Sequence, residues 1–545
     1  MNTTEFNLLR EPWIRVRLND FTVSEVSLTD ALLHAHEYRN LAGEMPTQDA
    51  AMLRLLLAVL HTVFSRVDVN GEPAPLEKTS IALQRWGELW KLGHFPEQPI
   101  RDYLEQWQER FWLFHPERPF WQVPEAKIGT EYTAAKLNGE ISESSNKLRL
   151  FSAYAGDGKT ELSYAQAARW LLSVNGYDDT SAKPKGKGLP SVGAGWLGKL
   201  GYIQAQGKTL FETLMLNLTL LKDGQRLWGE NHPCWELEEP RSAERTEIAL
   251  PDNPAELLTL QSRRLLLSRE GNKVTGFALL GGDFFPRENA FTEQMTVWRD
   301  PDAKKSKKTG ITTFVPSRHD KAKQFWREFP AVFCDEVESV RKPGIVRWIE
   351  TLQDDNINGN VKLLDRRRMV CFKISGMAYG DKDFFVNDAF SDSLTFQAGL
   401  LESMKKKWRR EITEQIGKCE QAAKIVGHLA QNLSIAAGDK NDTCTASAQT
   451  QFYFIIDQPF RQWLQSIDPD EDELLEKAAE WEKQARRLAI QLGEQMVEQT
   501  GNAAFTGHWI KNEKTEKKYL YTAPKAYNDF LWELSRVYPK ENKEG

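Results

Sequence analysis

The chain reads as an α+β protein, with a large mixed N-terminal domain over residues 1–390 and a C-terminal four-helix bundle over 391–545. Three observations predict this. Ile14, Val16 and Leu18 alternate with Arg15 and Arg17, Asn19-Asp20 follows, and Phe21, Val23 and Val26 continue the alternation, so a β-hairpin is expected there. Pro46-Thr47 then opens a segment in which Leu53, Leu56, Leu57, Leu60 and Phe64 recur at three and four residues, the stripe of a core-facing helix. From Leu394 to Ala437 there is no proline and the apolar residues keep helical spacing.

The remaining elements follow in order. Between about 110 and 390, apolar runs alternate with glycine-rich and charged connections, without a regular βαβ period and without a repeat. Residues 138–160, 176–201 and 299–312 are longer than ordinary structureless connections, which marks them as the place to look for function. Asp468-Pro469-Asp470-Glu471 supplies a cap, a first-turn proline and a capping-box carboxylate, and Leu474, Leu475, Ala478, Trp481, Ala485, Leu488, Leu492 and Met496 continue one face from there. With the segment from Phe452 to Leu464 and a last helix near Tyr527 to Val537, about four helices form the bundle.

Seventy-one Lys and Arg against 77 Asp and Glu give a net charge of −6, which excludes overall positive charge as a way of holding a polyanion. Any such contact must be a local patch. Cys234, Cys334, Cys371, Cys419 and Cys444 lie far apart with no Cys-x-x-Cys pair, so neither a disulfide framework nor a zinc knuckle is expected. A cytoplasmic location fits that usage. The N-terminal residues lack a basic region followed by an apolar one, and no 18-residue apolar run occurs, so no membrane contact is expected.

Gly193, Gly195 and Gly198 have G-x-G-x-x-G spacing, but the residues before them are lysines, prolines and glycines that cannot form the strand a dinucleotide fingerprint needs. Gly193 to Lys199 has the spacing of a phosphate loop, with Leu200 where the magnesium-ligating hydroxyl belongs. What remains is a pliable glycine-rich loop bearing Lys183, Lys185, Lys187 and Lys199, suited to close main-chain approach to a polyanion. Ser142-Glu-Ser-Ser-Asn-Lys147 is a polar loop able to donate to phosphates or minor-groove acceptors. Lys304 to Lys308, Arg366 to Arg368 and Lys405 to Arg410 are basic clusters whose ordinary role is a solvated face. Asp178-Asp179 beside Asn and Gly reads as a turn, and Arg318-His319-Asp320 holds a His-Asp dipeptide without a second ligand cluster.

Phe6-Asn-Leu-Leu-Arg-Glu-Pro-Trp-Ile-Arg-Val-Arg17 resembles the opening of the CasA family, the large subunits of the type I-E CRISPR surveillance complexes called Cascade. Glu37-Tyr-Arg-Asn-Leu-Ala-Gly, His115-Pro-Glu-Arg-Pro-Phe120, Trp196-Leu-Gly-Lys-Leu-Gly201 with Thr209-Leu-Phe-Glu-Thr-Leu214, and Gly281-Gly-Asp-Phe-Phe285 resemble the same family, in its order and over nearly the whole chain. The resemblance implies a non-catalytic subunit without a cofactor. It would sit in a CRISPR RNA-containing complex with the other Cascade subunits, read the protospacer-adjacent motif of a double-stranded DNA target, start strand separation and help recruit a helicase-nuclease.

It further implies DNA contacts from Ser142, Ser144, Ser145 and Asn146 in the polar loop. Lys183, Lys185, Lys187, Gly193, Gly195, Gly198 and Lys199 of the glycine loop, with Gly281 and Gly282, complete that set. The strand-separating wedge falls on Gly380, Asp381, Lys382 and Asp383, where the glutamine that family hairpins often present is absent and Lys382 or Asp383 stands in its place. Members that bind zinc carry paired cysteines, which this chain lacks around Gly276 to Gly282, so no metal is expected. Two other readings remain open at this point. One is a nucleotide-dependent enzyme using Gly193 to Lys199, and the other is a pure assembly scaffold.

Overall fold

The structure, a computed structural model, describes residues 4–143, 148–149, 152, 154–179, 188–335, 339–354, 363–439, 443–511, 516 and 518–539. The chain divides into two compact units. The first comprises Met1–Phe325, Ala331–Asp365 and Val370–Ser393; the second comprises Trp326–Pro330, Arg366–Met369 and Leu394–Gly545.

In the first unit the expected hairpin is present. Strand β1 (Ile14–Arg17) pairs antiparallel with β2 (Val23–Val26), Ile14 opposite Val26 and Arg17 opposite Val23. Ile14 and Val16 are fully buried while Arg15 and Arg17 point the other way, the two-residue period of a pleated strand. The short β3 (Asn40–Leu41) pairs with the free edge of β1.

Helix α1 (Pro46–Arg66) begins with proline in its first turn, where the missing N–H has no helical partner to lose. The expectation of a single core-facing stripe needs correcting, because every residue from Ala50 to Phe64 is buried and the helix runs through the interior. Arg54, His61 and Thr62 are polar residues of this buried stretch. Buried partners explain two of them: Arg54 forms a two-pronged ion pair with Glu293 at 2.9 Å on each arm, and the Thr62 hydroxyl bonds the Ala58 carbonyl at 2.7 Å.

Strand β4 (Thr130–Thr133), helix α2 (Tyr164–Tyr177), strand β5 (Tyr202–Gln206) and the hairpin β6 (Arg263–Glu270) and β7 (Lys273–Gly281) complete the frame around the loops. Ser163 caps α2 through a full capping box with Gln166. Strands β8 (Met369–Tyr379) and β9 (Val386–Gln397) are neighbours in a three-stranded sheet with β5, and β8 pairs antiparallel with β5, Ser375 opposite Tyr202.

The second unit contains α3 (Lys406–Ala436), α4 (Thr443–Gln465), α5 (Leu474–Glu498) and α6 (Ala523–Val537), the expected four helices. Its core is aromatic, with the Phe460 ring 4.3 Å from Trp326 and 5.0 Å edge-on to Trp481. The cap expected at Asp468 is corrected, since α5 starts at Leu474. Asp468 accepts from the Asp470 amide at 3.0 Å and donates its own amide to Asp472 at 2.8 Å, so these carboxylates close a turn around Pro469 instead of opening the helix. Among the described residues no helix is long and apolar enough to cross a membrane.

Arg54→Ala should destabilise the first unit by about 3–5 kcal/mol, because it leaves the Glu293 carboxylate buried and unpaired. The check is the shift of the first unfolding transition in denaturant. Arg54→Met with Glu293→Leu should recover more than half of that loss.

Candidate nucleic-acid interface

The expected site residues divide into three groups. Ser144, Ser145, Asn146, Lys183, Lys185 and Lys187 lie outside the described residues. Ser142 belongs to the stem of the polar loop: its φ is 44° and its amide donates to the Asn138 carbonyl at 2.6 Å. Beside it the buried Glu143 carboxylate pairs with Lys159 at 2.7 Å, so the stem is anchored by a charge that the sequence reading had passed over.

The glycine loop, where described, is held at nearly every step, and the expectation of a pliable segment is corrected for residues 193–201. The Gly193 carbonyl accepts from Arg263 at 2.7 Å, the Gly195 amide donates to the Asp178 carbonyl at 3.0 Å, and the Gly201 amide donates to Thr296 Oγ1 at 3.1 Å. Trp196 donates its indole N–H to Glu293 Oε2 at 2.8 Å, the same carboxylate that grips Arg54. Two glycines are required by close approach: a Cβ would lie 2.3 Å from the Gly176 carbonyl oxygen at Gly195 and 2.1 Å from the Tyr379 hydroxyl at Gly198. Gly281 and Gly282 are buried, Gly281 against Val192 and Arg245, so they back the loop from beneath.

Asp178-Asp179 is not a solvated turn. Asp178 pairs with Arg263 at 2.7 Å and Asp179 with Lys136 at 2.9 Å, with all four side chains buried. The phosphate-loop and dinucleotide readings of Gly193 to Lys199 also fail on geometry. A single 3-10 turn at Leu197–Lys199 leads into strand β5, whereas both motifs need a strand before the loop and a helix after it. His319 is buried with Nε2 3.2 Å from the Tyr202 carbonyl oxygen, and among the described residues no group of three or more His, Cys, Asp and Glu side chains could hold a metal ion.

The third group is the wedge. Strands β8 and β9 form a hairpin whose end is closed by the Gly380 amide donating to the Phe385 carbonyl at 2.8 Å. Between them Lys382 and Asp383 adopt left-handed backbone, φ 53° and 60°. Asp383 is committed to a two-pronged pair with Arg318 at 2.6 and 2.9 Å, which leaves Asp381 and Lys382 at the exposed tip. Phe384 is half exposed beside them, an apolar ring of the kind that can lever between stacked bases.

Arg318, which the sequence reading treated only as a neighbour of His319, joins the two elements. Its Nε donates to the Gly198 carbonyl at 2.6 Å while its other two nitrogens hold Asp383, and its guanidinium lies 4.7 Å from the centre of the Tyr379 ring. Tyr379 in turn donates its hydroxyl to the Tyr177 carbonyl at 2.5 Å. The glycine loop and the hairpin tip are therefore linked directly through Arg318. No spacing in the chain could reveal a contact between residues 198, 318 and 383.

Charge gathers at the same place. Burial, followed by the fields of Arg263, Arg245, Arg287 and Arg318, pushes the Lys199 ammonium down to about 8. Arg263 is balanced by Asp178 and Arg318 by Asp383, whereas Arg245 donates to the Pro190 carbonyl at 2.7 Å and lies 4.0 Å from the centre of the Phe284 ring, with no carboxylate in ion-pair reach among the described residues. Lys199 has no carboxylate in ion-pair reach among the described residues. A phosphate is the natural complement of such a group. The basic clusters of the second unit are different: Arg366 lies 3.4 Å from Glu402, Arg367 2.6 Å from Glu471 and Lys405 2.6 Å from Asp470. Lys304, Lys305, Lys307 and Lys308 are exposed on the short helix Ala303–Thr309, a solvated face as expected.

Comparison with known proteins agrees with this architecture. Residues 7–492 match the family model described as CRISPR-associated protein Cse1. The CRISPR-associated protein CasA/Cse1 of Thermus thermophilus is 29% identical over 446 residues, covering 80% of each chain. Among solved structures, Thermobifida fusca Cse1 has a TM-score of 0.82 at 28% identity over 98% of both chains. A chain from a structure titled CRISPR RNA-guided surveillance complex shares the fold, with a TM-score of 0.68 at 17% identity over 97% of this chain and 99% of that one. With the family model spanning most of its length, this chain belongs to the CRISPR-associated Cse1 family.

Proposed function

We propose that this chain is the large subunit of a CRISPR RNA-guided surveillance complex. It reads a short protospacer-adjacent motif in duplex DNA, begins strand separation beside it and helps to recruit a helicase-nuclease, with no chemistry of its own. Residues 1–390 would do the reading, and the bundle of 391–545 would make the subunit contacts. The observation that carries the reading is the Arg318 joint, which ties a cationic main-chain loop to a hairpin tip in one piece.

Such a piece suits a minor groove about 6 Å wide, which admits no helix and offers few distinguishing groups. Recognition there is short and tolerant of sequence. Opening a base-pair step costs about 1.4 kcal/mol, and heteroduplex formation returns a similar amount, so a wedge set rigidly beside the grip needs no nucleotide fuel.

Acidic replacement of Lys183, Lys185, Lys187 and Lys199 should weaken motif-duplex binding by the reconstituted complex at least tenfold. It should also lower the slope of log K against log salt by up to about 3.6, which filter binding across a salt series would measure. Unchanged binding would sink the proposal.

Arg318→Ala should leave motif binding within about threefold but abolish base unpairing next to the motif, read as 2-aminopurine fluorescence. Arg318→Lys should not rescue it, since an ammonium cannot hold Asp383 with two arms and Gly198 with a third.

Lys199 gives opposite pH signatures for binding and folding. Its pKa falls from 10.5 unfolded to about 8 folded. Between those values the unfolded chain binds the extra proton, so its contribution to stability rises with pH above about 8. Duplex affinity should fall over the same range as the ammonium is lost. Lys199→Arg should remove the affinity step between pH 7.5 and 9.

A further inference from the structure

On the first unit, away from the glycine loop, strand β1 faces a groove of about 520 Å³. Arg15 and Arg17 project into it from β1, Arg39 from the residue before β3, and Lys373 from β8. Arg17, Arg39 and Lys373 have no carboxylate within 4.0 Å among the described residues. Two acids lie at the floor. Glu44 is already held by the buried Arg169 at 2.5 Å, with Arg15 3.7 Å away. Asp49 accepts the Gly43 amide at 2.7 Å, and burial pushes its carboxyl up to about 6. The groove therefore carries four cations against two carboxylates, Lys373 drawing the Asp49 carboxyl down against its burial while Arg17 and Arg39 have no acid in ion-pair reach among the described residues.

Its rim holds a large aromatic side chain in an unusual way. Phe21 is 64% exposed and sits in left-handed backbone, φ 69°, in the β1–β2 turn, a conformation that a bulky residue rarely adopts. The Arg39 guanidinium lies 4.5 Å from the centre of its ring. Backbone strain that presents a ring to solvent between unpaired cations marks a stacking platform.

We propose that this groove is a second nucleic-acid site that binds an unpaired strand, with Phe21 and Arg39 stacking a base and Arg17 and Lys373 holding its phosphates. Cations alternating with an exposed aromatic ring are what a single strand requires, because every base has a face to stack once it is free of its partner. Lys373 and Tyr379 lie six residues apart on β8, about 20 Å at the rise of a β-strand, with Ser375 and Met377 buried between them, so β8 fixes the distance from wedge to groove without offering a surface path. The hairpin wedge begins where Tyr379 ends. The chemistry of the groove stands without the motif-reading proposal; only the origin of the strand rests on it.

The test is anisotropy of labelled dT and rU oligonucleotides of about ten nucleotides with the intact chain, beside a motif-containing duplex. The triple variant Arg17→Glu, Arg39→Glu, Lys373→Glu should lower single-strand affinity at least tenfold and the salt slope by about two, while duplex affinity changes less than twofold. Phe21→Gly should lower single-strand affinity about tenfold without lowering the thermal midpoint, because glycine accepts the left-handed backbone. Loss with dT alone identifies displaced DNA as the ligand and loss with rU alone identifies guide RNA; either upholds the site. A wild-type chain that holds single strands but no duplex would keep the groove and remove the motif reading. Unchanged single-strand binding, a fall parallel to that of the duplex, or competition by an acidic peptide in a chain that binds neither oligonucleotide would overturn it.

Discussion

One buried carboxylate organises the first unit. Glu293 takes both arms of Arg54 from the central helix, the indole N–H of Trp196 from the glycine loop and the amide of Met295 at 3.2 Å. Burial alone would drive the proton from Arg54, but Glu293 outweighs it and holds the guanidinium above its ordinary value. An ion stranded in such surroundings costs several kcal/mol, so the loop can settle only where Trp196 completes the set. From that fixed point the chain runs to Gly198, through Arg318 to Asp383, and so to the tip of the hairpin. The position of an exposed turn is thus set by a charge pair in the core.

The same logic explains how a chain of net charge −6 presents positive sites. Many of its cations are neutralised where they stand: Arg263 by Asp178, Arg264 by Asp283, and Arg366, Arg367 and Lys405 by carboxylates of the second unit. Each pair removes a charge from the field felt outside. Among the described residues, Lys199 in one place and Arg17, Arg39 and Lys373 in another stand without an acid in ion-pair reach. A local excess of this kind can attract a polyanion although the molecule as a whole repels it.

The aromatic residues serve two separate ends. In the second unit Trp326, Phe460, Trp463 and Trp481 fill the interior of four helices, where their large buried areas stabilise the packing. In the first unit Phe21 and Phe384 face solvent from turns with left-handed backbone in or beside them. Phe21 itself takes that conformation at some backbone cost, with the Arg39 guanidinium over its ring.

Local pattern alone was enough for the hairpin at 14–26, the helix from Pro46 and the four C-terminal helices, because strand alternation, helical spacing and proline punctuation act within a few residues, while the family was legible in whole motifs such as Phe6 to Arg17 that resemble it. Local pattern erred at Asp468 and Asp178-Asp179, where side chains that could cap or turn locally were drawn to a turn of their own or to a distant arginine and lysine. The joint of Gly198, Arg318 and Asp383, the cations pressing on Lys199, and the groove between Arg17 and Lys373 came only with the folded chain. Ion pairing depends on distance through space, and residues up to about 350 positions apart carry no mark of it in their order.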